Sequence, residues 1–145
     1  MPISQNLKFN GTVPKDEEFE HPLGADLIRK IESKLKSKEW KIRTFDNWRD
    51  CGWILVCKED NAEMEIVISA INEQEWMLQV TATYNPGLIG RLLKKKSSAS
   101  ESSILKLAQD VHDIIDAEKS YDNFMWCWDD FPDKHNSTSK PEAYI

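Results

Sequence analysis

Three apolar runs of strand length, separated by two short polar turns, lie between Cys51 and Tyr84 in the stretch CGWILVCKEDNAEMEIVISAINEQEWMLQVTATY. In the first, Trp53, Leu55 and Cys57 alternate with Ile54 and Val56, so both faces are apolar, the pattern of an inner strand covered on two sides. The second sends Met64, Ile66, Ile68 and Ala70 to one face and Glu65, Val67, Ser69 and Ile71 to the other. The third alternates most cleanly, with Trp76, Leu78, Val80, Ala82 and Tyr84 towards a core and Met77, Gln79, Thr81 and Thr83 opposite. Connections as short as KEDNAE and NEQE permit hairpins and exclude parallel crossovers, so the pattern predicts an antiparallel meander.

The flanking segments must cover or extend that sheet. Leu23, Leu27, Ile28, Ile31 and Leu35 recur at helical spacing and predict a helix over about Leu23 to Lys38, whose closing lysines suit the negative end of the helix dipole. Trp40, Ile42 and Thr44 alternate with Lys41, Arg43 and Phe45, which predicts a strand from Trp40 to Asp46 with the charged outer face of a sheet edge. The following DNWRDCG is expected to be a loop. After the turn signal Asn85-Pro86-Gly87, the segment GLIGRLLKKK fits a short basic helix. The Ser-rich connector KSSASESS offers Ser100, or the Ser98 and Glu101 pair, as the cap of a helix from about Ser102 to Lys119. Ile104, Leu107, Ala108, Val111, Ile114 and Ile115 form its apolar stripe. Phe124, Trp126 and Trp128 alternate with Met125 and Cys127 in one last strand, expected beside an edge of the meander and stopped by Pro132.

The expected fold is therefore α+β, two-layered, with a four- to five-stranded antiparallel meander and helices packed on one face. Residues 1–20 lack periodicity and are expected to form a mobile arm, residues 21–133 a single domain, and residues 134–145 a loose tail. At 145 residues, with 40% hydrophobic and 30% charged positions, the chain is long enough to bury a core without staples. No run approaches the roughly 18 apolar residues of a membrane span, and no charged-then-apolar leader opens the sequence, so the expected compartment is the cytoplasm and no membrane partner is expected. Three cysteines fit free thiols in a reducing compartment.

Charge narrows the candidate partners. The net charge is −6, from 19 basic and 25 acidic residues. Asp110, Asp113, Asp116, Glu118, Asp122, Asp129, Asp130 and Asp133 face the single base Lys119 in that part of the chain. A field of this sign repels phosphate backbones, so no nucleic-acid partner is expected. Cys51, Cys57 and Cys127 are not spaced as metal ligands, and His21, His112 and His135 are scattered, so no metal and no cofactor are expected. His112 and Asp116 lie one helical turn apart, a spacing common on helix surfaces, and no nucleophile elbow or glycine-rich phosphate cradle is present. No catalytic residue is assigned, and the chain is not expected to be an enzyme.

Protein recognition remains. Trp126, Trp128, Asp129, Asp130, Phe131 and Asp133 combine large rigid rings with acids that steer a basic surface, and Asp46, Trp48 and Asp50 repeat that combination in a loop. Aromatic anchors and aromatic core look alike in sequence, so Trp126 and Trp128 fit a buried edge strand equally well, and Trp48 fits a lid folded back on the core. In small size, acidity and lack of a catalytic signature the chain resembles bacterial immunity proteins, which neutralise a cognate toxin. That resemblance implies occlusion of a basic toxin surface by the acidic, aromatic C-terminal region, and it carries over no residue from a family motif. The chain also resembles the small acidic dimeric secretion chaperones that hold an effector segment, under which a homodimer is expected, but it lacks their second hairpin between helices. A ligand-binding domain or enzyme is the third alternative, marked by a deep pocket with inward-facing Asp or His.

Overall fold

The structure, a computed structural model, describes residues 5–12, 24–59, 62–82, 100–127 and 137–142. Seven strands and two helices occur among them: β1 (Asn6–Asn10), α1 (Ala25–Ser37), β2 (Lys41–Trp48), β3 (Gly52–Glu59), β4 (Ala62–Ala70), β5 (Glu75–Ala82), α2 (Glu101–Ala117), β6 (Asp122–Cys127) and β7 (Ser137–Thr138). All strands join one antiparallel sheet in the order β2-β3-β4-β5-β1-β6-β7. The meander and the α+β class are as expected, but the sheet has seven strands where four or five were predicted.

The excess comes from the two segments thought to be loose. Asn6–Asn10 pairs with β5 on one side and β6 on the other, and Leu7 and Phe9 are fully buried. This part of the expected mobile arm is thus an inner strand, held by ladders on both edges. Ser137 and Thr138 extend the sheet beyond β6, within the expected tail. β6 accordingly joins the meander through β1 rather than lying directly against its edge. The basic helix foreseen over GLIGRLLKKK and the connector before Ser100 lie outside the described residues.

Both helices lie on one face of the sheet. α1 turns Ala25, Leu27, Ile28, Ile31 and Leu35 inward, and α2 turns Ile104, Leu107, Ala108, Val111, Ile114 and Ile115 inward. They run antiparallel, because Lys30 reaches Glu118 at 2.9 Å while Trp40, just past the end of α1, donates its indole N–H to Asp110 at 2.8 Å. Facing them are Leu7, Phe9, Trp53, Leu55, Cys57, Met64, Ile66, Ile68, Trp76, Leu78, Val80 and Trp126. The sequence placed these alternating positions correctly in β3, β4 and β5.

Caps hold the helix ends. Ser100 begins α2 as foreseen, its hydroxyl accepting from the Ser103 amide at 3.2 Å. α1 starts at Gly24, whose φ of 106° lies in the left-handed region and where a Cβ would come within 2.9 Å of the Trp76 ring, so glycine satisfies both backbone and packing. At its far end, Glu39 takes φ 72°, the left-handed position where glycine is usual.

Candidate functional site: the open face of the sheet

Alternation that sends one set of side chains under the helices sends the other to the opposite face. No helix among the described residues lies on that second face, where Asn6 and Cys127 are nonetheless buried. Ile54 and Val56 are half-buried there. The register builds two rows across the sheet: Asp46, Ile54, Val67, Gln79, Asn6 and Cys127 in one, and Trp48, Gly52, Met77, Lys8 and Met125 in the other, with Ser69 beside Gly52.

Trp48 ends β2 immediately before the Arg49–Asp50 turn, in which both residues adopt left-handed angles, φ 52° and 57°. Such angles match the twist of a tight hairpin. The Asp50 amide donates to the Asn47 side chain at 2.8 Å and fixes the turn. Trp48 pairs with Gly52, which brings no side chain between the indole and the next strand. It thereby joins Val67, Ser69, Met77, Gln79 and Asn6 in lining a groove of about 480 Å³. The Arg49 guanidinium sits 5.1 Å from the Trp48 ring centroid.

Polar groups on this face are largely spoken for. Gln79 donates to Asn6 at 2.8 Å, Ser69 donates to the Cys51 carbonyl, Arg43 pairs with Glu63, and Lys8 lies 3.6 Å from Glu75. Burial pushes the Glu65 carboxyl above the usual range; the Thr81 hydroxyl, 3.4 Å away, offsets part of this and the charge of Glu63 adds to it. Among the described residues the groove presents apolar surface bounded by hydrogen-bonded polar groups.

Among the expected contact residues, Trp48 and Asp46 lie on this face and Asp50 occupies the turn beside it. Trp126 does not join them. It is fully buried, and its indole N–H donates to His112 Nδ1 at 3.0 Å, so the ring belongs to the core rather than to a contact surface. Trp128, Asp129, Asp130, Phe131 and Asp133 lie outside the described residues. Val67, Met77 and Gln79 were not singled out in sequence, although the period-two pattern had already turned them away from the core.

Other chemistries find little footing among the described residues. No three His, Cys, Asp or Glu side chains gather there as a metal site would require. Cys57 is buried, and burial, with Glu32 adding to it, pushes its thiol up to about 12, far from a reactive thiolate. No described helix is long and apolar enough to cross a membrane. No family model matches the chain, and a comparison with characterised proteins returned no match.

Proposed function

We propose that the protein is a non-catalytic binding module that docks a protein partner on the sheet face turned away from its described helices, with Trp48 as the anchor. The observation that carries this reading is the groove itself: an indole fixed by a tight hairpin beside Val67 and Met77, with Asp46 on the same face and Asp50 in the adjoining turn. Tryptophan in a partly desolvated setting is the usual centre of a binding hot spot, and flanking acids favour a basic partner. The role this fits is that of an immunity protein acting in the cytoplasm, which occludes a basic surface of a cognate toxin. Trp128, Asp129, Asp130, Phe131 and Asp133 belong to the same proposal on the strength of their sequence pattern.

A second reading draws on the groove's volume. About 480 Å³ falls within the roughly 300–1,000 Å³ of small-molecule sites, so an apolar ligand is the competing occupant.

Affinity capture from the producing cells, with the captured protein identified and its binding then measured, separates the two. Trp48→Ala should weaken binding of a basic protein by about 30-fold or more, a loss of about 2 kcal/mol, with the melting temperature unchanged. D46N/D50N should weaken it less and flatten its dependence on salt. A partner held equally well by Trp48→Ala, or a groove that takes up an apolar ligand and no protein, would overturn the proposal.

A further inference from the structure

Away from the Arg49–Asp50 turn, the β2–β3 hairpin ends at a second cleft of about 240 Å³, walled by Lys38, Lys41, Lys58 and Lys106, by Glu39 and Glu59, and by Trp40. Four elements meet there: Lys38 caps α1, Lys41 opens β2, Lys58 stands near the end of β3, and Lys106 projects from α2.

The charges around this cleft do not cancel. Lys106 contacts both Glu59 oxygens, at 3.2 and 3.3 Å, and its ammonium lies 5.4 Å from the Trp40 ring centroid. The Trp40 N–H is committed to Asp110. Among the described residues that leaves Lys38, Lys41 and Lys58 against Glu39, three positive charges against one negative, for a net of +2. The carboxylate nearest in register, Glu63 opposite Lys58, is held by Arg43. Lys38, Lys41 and Lys58 form no ion pair among the described residues. The register even sets Lys41 directly across from Lys58, a like-charge pairing that destabilises a sheet unless something negative lies between.

We propose that this cleft binds a phosphate dianion, either free or as the terminal group of a small ligand. Its volume is below the roughly 300 Å³ at which sites begin to enclose a drug-sized molecule, so it accommodates a phosphate or diphosphate group rather than the body of a larger compound. A dianion matches the net charge, whereas a single carboxylate leaves half of it uncompensated. Each ammonium brings three rotatable donors, which suit a tetrahedral oxyanion approached from several sides. The site shares no residue with the groove at Trp48 and stands or falls apart from it.

The test is an NMR titration of the full chain at constant ionic strength with inorganic phosphate and, in a second arm, a nucleoside monophosphate; the tighter of the two tells a free ion from a terminal group. Saturable shifts confined to the segments around Lys38, Lys41, Lys58 and Lys106 are expected. Lys58→Gln should weaken binding at least tenfold with the spectrum otherwise unchanged. Lys41→Glu should weaken it as much while raising the melting temperature, because an attractive cross-strand pair replaces a repulsive one. Shifts that rise linearly without saturating, or that spread equally to Lys30 and Lys34, would overturn the assignment. So would wild-type binding by Lys41→Glu, or tighter binding of polyglutamate than of phosphate.

Discussion

Inside the core, Nδ1 of His112 accepts the Trp126 N–H, which requires a neutral ring with its remaining proton on Nε2. Burial holds this imidazole below its ordinary value of 6.5, while Asp116 and Asp113 draw it upward and Lys140 opposes them. The unfolded chain therefore takes up this proton more readily than the folded one. The stabilisation is whole above the unfolded value and is lost as the pH falls through the lowered folded value. Urea unfolding should show a lower midpoint at about pH 5 than at about pH 7.5, and His112→Gln, which keeps an acceptor without titrating, should flatten that difference. Sequence could not have revealed the pair: the spacing of His112 and Asp116 suggested a surface contact, and nothing local says that a helix histidine will meet a strand tryptophan. Trp48 was easier to single out, since a tryptophan in a loop among aspartates reads either as a lid on the core or as a contact residue, and the groove beside it supports the second.

Elements were legible where their periodicity had room to repeat. α1 and α2 fell within two residues of their expected bounds at each end, because four or five turns of apolar spacing outweigh any single ambiguous position. β1 was missed because NLKFN offers only two alternating apolar residues, Leu7 and Phe9, in a polar stretch. Those two residues nonetheless sit in the middle of the sheet, where Phe9 stacks at 5.9 Å on Trp76 and meets Tyr121 edge-on at 5.6 Å. Phe9→Ala should cost about 3–5 kcal/mol in denaturant unfolding, far more than the nearly neutral change expected of a mobile arm. The end of α1 predicts the opposite sign. Glu39 sits in a conformation that an L side chain adopts at a cost of roughly 1–2 kcal/mol, so Glu39→Gly should raise stability by about 0.5–1 kcal/mol after the added freedom of the unfolded glycine is counted.

On the scale of the whole molecule, both described helices lie on one side of the sheet, and the two candidate sites sit at opposite ends of the β2–β3 hairpin. The meander order of β2 to β5 followed from short turns alone. The place of β1 between β5 and β6 did not, because pairing over such separations leaves no local mark: Asn6 meets Gln79 from 73 positions away. During synthesis this arrangement imposes a wait. The nascent β1 leaves the ribosome with Leu7 and Phe9 bare and finds neither neighbour until the β5 and β6 segments have followed it out, long after the β2–β3 hairpin is able to close. For that interval two side chains that the finished sheet buries completely stay in water, with neither edge of their strand yet paired.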